Sequence, residues 1–137
     1  MYNYLWEHPA PMDDTIHAAL DQGHTIDITT TGRHTGNARR IEIVFHNLDG
    51  KIVISGMPRR GHTRAWIYNL EADPRITLHF KGPLAHADVD GTARIVTDPV
   101  ERRQLLTGVA RNWNRTDIDL MVEASPLIEV TVPGYPA

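Results

Sequence analysis

The 137-residue sequence contains no cysteine. That absence removes disulfides, thiolate metal sites and thiol nucleophiles from consideration. No apolar run approaches the ~18 residues of a membrane-spanning helix, so no integral membrane segment is expected. Met1–Ala10 lacks the basic start and apolar stretch of a secretory signal, and a cytoplasmic protein is the expectation. Internal repeats, low-complexity tracts and compositional breaks are missing too. Residues 1–137 are therefore read as one domain, an arm and helix over 1–25 followed by a folded body over 26–132. The chain is long enough to bury a core without covalent staples. A net charge of −3 argues against a nucleic-acid partner.

The charge is unevenly placed. Between Gly32 and Trp66 stand seven basic residues (Arg33, Arg39, Arg40, Lys51, Arg59, Arg60, Arg64) against Glu42 and Asp49, a local balance of +5. The remainder of the chain carries −8. A positive segment in an acidic protein focuses an anion on one region, so a small polyanionic ligand is expected.

The rest of the chain is arranged around residues 26–40. Ile26 and Ile28 alternate with Asp27 and Thr29, the period of a half-buried strand. The strand breaks at Gly32, turns through Arg33, His34, Thr35 and Gly36, and resumes near Arg39. The glycines allow backbone N–H groups to converge on a ligand, and the arginines present forks suited to phosphate or carboxylate. Folding a hairpin requires no arginine. A solvated basic turn and an anion site both satisfy this spacing.

Upstream, Tyr2, Tyr4, Trp6, Pro9 and Pro11 form an aromatic arm, read either as a packed terminus or as a wall of a substrate pocket. Asp13 or Asp14 can cap a short helix that ends at Gly23. His17 and His24, near its two ends, are read as surface residues. Strands follow over Arg40–His46 and Lys51–Ser55, joined by the Asn47-Leu48-Asp49-Gly50 turn. Gly56–His62 is too rich in glycine and proline to continue the strand. Thr63 can cap a helix over Arg64–Leu70, whose positive N-terminus adjoins Arg59, Arg60 and Arg64 as a second anion-binding group. Arg75–Phe80 and Leu84–Val96 read as strands, the latter with a bulge or barrel corner at Gly91. His79 and His86 are read as cross-strand surface neighbours. Asp98-Pro99-Val100-Glu101 starts a helix that runs to about Trp113. A short helix from Thr116–Asp119 and a last strand over Leu127–Val132 complete the order. The fold class expected is mainly β (α+β), a closed or split barrel of about six mostly antiparallel strands with a few short helices.

Two segments carry a family likeness. Thr29-Thr30-Thr31-Gly32-Arg33-His34-Thr35-Gly36-Asn37-Ala38-Arg39 resembles the T-T-G-R-x-[ST]-G-x-x-R signature of the deazaflavin-dependent nitroreductase family. Ala65–Pro74 is similar to that family's W-x-x-N-L-x-A-x-P segment. Relatives often have lysine where this chain has His34, proline where it has Ala38, and glycines where it has Pro58, Arg59 and Arg60.

The resemblance implies a split-barrel oxidoreductase using coenzyme F420, which reduces a small-molecule hydride acceptor such as a quinone, enone or nitroaromatic. Arg33, Arg39 and His34 would meet the cofactor's phosphate or tail carboxylates, with Gly32, Thr35 and Gly36 of the same turn also counted as cofactor-binding. Met57, Pro58, Trp66 and strand residues near Ser55 would border its ring, backbone N–H groups around Gly56–Gly61 would bind its phosphodiester or the ring's carbonyls, and Arg59, Arg60, Arg64 and Asn69 belong to the same cofactor-binding set. No residue is assigned a catalytic role and no metal is expected. An FMN- or haem-binding split barrel and a non-catalytic deazaflavin carrier stay open, since one fold hosts several cofactors. So does a homodimer whose second chain completes the site.

Overall fold

The computed structural model describes residues 12–136. The aromatic arm over residues 1–11 lies outside the described residues. Six strands carry the architecture: β1 (Thr25–Thr31), β2 (Ala38–Leu48), β3 (Lys51–Ser55), β4 (Arg75–Lys81), β5 (His86–Ile95) and β6 (Leu127–Thr131). Four helices join them: α1 (Asp14–Gln22), α2 (Ala65–Ala72), α3 (Pro99–Trp113) and α4 (Ile118–Ala124). The strands close into a barrel in the order β1-β2-β3-β6-β5-β4, every neighbour antiparallel. The expected barrel is present.

Alternation sets the faces. Along β1, Ile26, Ile28 and Thr30 point inward, while Asp27 and Thr29 lie on the outer face. The β2–β3 connection is the two-residue turn Asp49-Gly50, both at positive φ (53° and 88°), the geometry that matches strand twist. Asn47 Oδ1 accepts the Gly50 amide at 2.9 Å and pins the turn. Inside the barrel, Ile26, Ile28, Phe45, Ile54, Leu78 and Phe80 pack with Trp66, Ile67 and Leu70 of α2. A second cluster lies outside the barrel wall, where Leu105, Leu106, Val109 and Met121 of α3 and α4 cover Val53 and Leu127. Helix α3 starts as its sequence demands: Asp98 accepts the Glu101 amide at 2.9 Å, with Pro99 in the first turn.

Four expectations need correction. Helix α2 begins at Ala65, with Arg64 as its N-cap and no side-chain cap from Thr63. Gly91 is no bulge, because the β4–β5 register runs through it unbroken, opposite Ile76. It is a close approach instead: a Cβ there would stand 2.8 Å from the Thr131 carbonyl oxygen. His79 is buried and pairs with Asp88 rather than His86; its ring bridges Asp88 (2.7 Å) and Thr29 Oγ1 (2.6 Å). His24 is wedged between Phe45 and Phe80, its Nδ1 buried.

Candidate functional site

The Gly32–Asn37 turn is self-contained. Asn37 O accepts the Gly32 amide at 2.8 Å, Gly32 O accepts the Gly36 amide at 2.8 Å, and Thr35 Oγ1 accepts the Asn37 amide at 3.1 Å. The Arg33 amide goes to Asn69 Oδ1 at 3.1 Å. The glycines therefore shape the turn instead of offering their amides to a ligand. A Cβ at Gly32 would press to 3.0 Å from Asn37 O, which is why the tight crossing takes glycine. Anion recognition falls to the side chains.

Asn69 is the hub of these contacts. It is buried on α2, donates to Thr30 Oγ1 at 3.2 Å, and accepts from both the Arg33 amide and Arg33 Nη1 (3.3 Å). Arg33 also reaches the Ala65 carbonyl at 3.5 Å and lies 5.0 Å from the Tyr68 ring centroid. One amide thus ties β1, the turn and α2 into a single rigid frame. Arg39 differs: it is exposed and forms no ion pair among the described residues. Its neighbour Arg40 is bound to Asp27 at 2.9 Å.

Between turn and helix lies a cavity of about 270 Å³. Its wall includes Gly32, Arg33, His34, Thr35, Arg39, Trp66 and Asn69 from the expected set. Thr30, Ile41 and Ala65 line it as well and were not anticipated. The inward alternation of Thr30 and the position of Ala65 beside Trp66 were the signals available.

Arg59, Arg60, Gly61 and Arg64 do not join this cavity. They line a second one of about 500 Å³, beside Ile67 and Glu71 of α2. Gly36 lines a third, with Thr29 and Thr77. Ser55, Gly56, Met57 and Pro58 line neither of the first two. The Ser55 hydroxyl is spent on the Pro126 carbonyl at 2.7 Å. Met57 is exposed and held from two sides, its carbonyl by Arg64 Nη2 and its sulfur by Arg115 Nη1 at 3.3 Å. Arg115 in turn pairs with Asp117, holding that carboxyl below its ordinary range. Burial and then the nearby Arg59 lower the pKa of Arg64.

A profile of the F420H2-dependent quinone reductases matches residues 12–133. The chain belongs to this family. It is accordingly an F420-dependent oxidoreductase of split-barrel fold. Solved structures share that fold at low identity. A structure described as an F420-H2 dependent reductase (FDR-A) aligns at 18% identity and TM-score 0.59, covering 78% of this chain and 93% of that one. A conserved hypothetical protein of Mycobacterium tuberculosis aligns at 18% and TM-score 0.68, covering 89% and 81%. The haem storage protein HutZ of Vibrio cholerae aligns at 15% and TM-score 0.62, covering 90% and 91%. No functionally curated protein matches the chain. In this family member, no described helix is long and apolar enough to cross a membrane.

Proposed function

We propose that the chain binds F420 at the turn–α2 cavity and catalyses two-electron reduction of a quinone-type acceptor. The observation that carries this reading is the Arg33–Asn69–Thr30 frame, which fixes a cation at the mouth of a cavity walled by Trp66. The donor set fits the cofactor. Arg33, Arg39 and His34 face the region that an oligo-anionic tail would need, while Trp66 and Ile41 supply flat and apolar wall. At about 270 Å³ the cavity is slightly below the ~300–1,000 Å³ of whole-ligand sites, so it takes part of F420 and leaves the remainder on the surface.

When bound, the deazaflavin supplies the hydride; the protein supplies orientation and charge. Arg33, locked by Asn69, holds an anionic group in register with the helix. Arg39, free to move, closes on the same charge from the strand side. Trp66 and Ile41 keep water from one face of the site. Nitro compounds and enones are alternative acceptors of the same electronic class, and a second chain would complete the acceptor's wall.

The test is a fluorescence titration of the purified protein with F420, alongside FMN and haem, followed by turnover of reduced F420 with a quinone panel. Binding of F420 alone, with quinone-dependent oxidation, is expected. Tight FMN or haem binding without F420 binding would overturn the reading, and F420 binding without turnover would make the chain a carrier.

A further inference from the structure

The outer face of β1, β4 and β5 carries a line of side chains that the cofactor site does not use. His79, only 8% exposed, is held at both ring nitrogens: Nδ1 lies 2.7 Å from Asp88 Oδ1, and Nε2 lies 2.6 Å from Thr29 Oγ1. The registers bring the three together, since His79 faces Asp88 directly on β5 and Thr29 diagonally on β1. The His79 bond holds the Asp88 carboxyl below its ordinary range, so at neutral pH Asp88 is a carboxylate and can only accept. Nδ1 therefore carries the ring proton, and Nε2 of the neutral imidazole is left as an acceptor. The Thr29 hydroxyl donates to it. A hydroxyl donating to an imidazole whose far nitrogen is fixed by a carboxylate is the arrangement of an activated oxygen nucleophile.

Thr29 stands where a ladder stops. The β1–β4 pairing ends at Thr29–Thr77, although β1 continues to Thr31 and β4 reaches back to Arg75. The Arg75 amide bonds Asp73 Oδ1 at 3.1 Å instead of β1. The parted ends frame the third cavity, about 360 Å³, walled by Thr29, Thr31, Arg75, Thr77 and Asp90. That volume falls within the ~300–1,000 Å³ of small-ligand sites. Asn37 O accepts the Gly32 amide at 2.8 Å, so by alternation Thr31 turns its own N–H away from β2 and toward this gap.

We propose that Thr29, His79 and Asp88 form an acyl-transfer site that hydrolyses a small carboxylic ester held in this cavity. Thr29 Oγ1 attacks the ester carbonyl carbon as its proton passes to His79 Nε2, and the Thr31 amide meets the oxyanion that forms. Collapse breaks the bond from that carbon to the alcohol oxygen, and the alcohol leaves with the proton from His79. Water then attacks acyl-Thr29 and gives a proton to His79. A second collapse frees the carboxylic acid and returns the proton to Thr29 Oγ1. Asp88 acts through His79, as a positioning residue. No electrons are transferred, so the activity stands independently of F420.

The test is hydrolysis of p-nitrophenyl acetate by the purified full chain without F420, with peptide mass spectrometry of protein quenched in acid during turnover. Saturable hydrolysis above the buffer rate is expected, with the acetyl group on Thr29. Thr29→Val, which keeps the volume, and His79→Gln should each lower kcat roughly a hundredfold or more. Asp88→Asn should lower kcat and leave KM unchanged. Thr29→Ser should retain activity, and so should His86→Gln, which removes an exposed imidazole from the same strand as Asp88. The proposal fails if the wild type does not exceed the buffer rate, if the acetyl group sits on another residue, or if Thr29→Val hydrolyses as fast as the wild type. Should valine open the β1–β4 ladder, the serine variant decides: folded Thr29→Ser without activity overturns the proposal. Loss of the activity in His86→Gln would overturn it as well.

Discussion

Arg33 and Arg39 both line the turn cavity, yet they do different work. Arg33 is held by Asn69 and by the Tyr68 ring, so its charge is placed before any ligand arrives. Arg39 is exposed and forms no ion pair among the described residues, so its worth is realised on binding. Arg39→Ala should weaken F420 binding by about 1.5–3 kcal/mol, the range of a charged hydrogen bond, and should flatten the salt dependence of affinity. A dissociation constant equal to the wild type's in a fluorescence titration would remove the turn from the site. Asn69→Leu keeps the volume but strips the Arg33 amide and the Thr30 hydroxyl of their partner. Thermal stability should fall by roughly 1–3 kcal/mol, and F420 affinity should fall with it. A variant melting with the wild type and binding as tightly would show that the frame is idle.

Elements whose start or stop is written locally were legible. Asp98-Pro99 announces α3, and Asp49-Gly50 announces the β2–β3 turn, because both act within a few residues. The alternation in β1 and the linked G-R and W-N-L segments pointed to a barrel and to one cavity of the site. What depended on contacts between distant residues was not legible. Thr63 has the right chemistry for a cap, but Arg64 occupies the capping position, tethered to the Met57 carbonyl. His79 meets Thr29 and Asp88 only once the strand registers are set. Along the chain the two arginine groups read as two anion-binding groups about one cofactor, and in the fold they line different cavities. They separate because Trp66 and Asn69 face one cavity while Ile67 and Glu71 face the other. Gly91 shows the same dependence: its need for glycine comes from the β6 backbone, 2.8 Å from where a Cβ would sit. Gly91→Ala should therefore destabilise the barrel by about 1–3 kcal/mol through a forced backbone shift, as read by denaturant unfolding. An unchanged midpoint would mean that β6 moves aside freely.

Across the whole molecule, two histidines set an acid limit. His24 and His46 are held below the ordinary imidazole pKa by burial, and each has one ring nitrogen buried without a partner. The unfolded chain therefore takes up protons at a higher pH than the folded one. Their stabilising effect is complete above the unfolded value of ~6.5 and is lost as pH falls through the depressed folded values. The melting temperature should drop on going from neutral to mildly acidic solution, less so in His46→Gln. A melting temperature that holds steady over that interval would refute the assignment. Closure of the barrel has a mechanical consequence as well. Closure joins every strand to two neighbours, but residues 38–44 of β2 pair only with β1 and residues 86–91 of β5 only with β4 among the described residues, so each keeps one open edge. The ring still has a seam: β1 meets β4 through only three residue pairs, Asp27–His79, Ile28–Leu78 and Thr29–Thr77. The His79 bond to Thr29 is a clasp across that seam. Opening there, before any other ladder parts, would unroll the wall that carries the Gly32 turn while leaving α3 and α4 seated on β3 and β6.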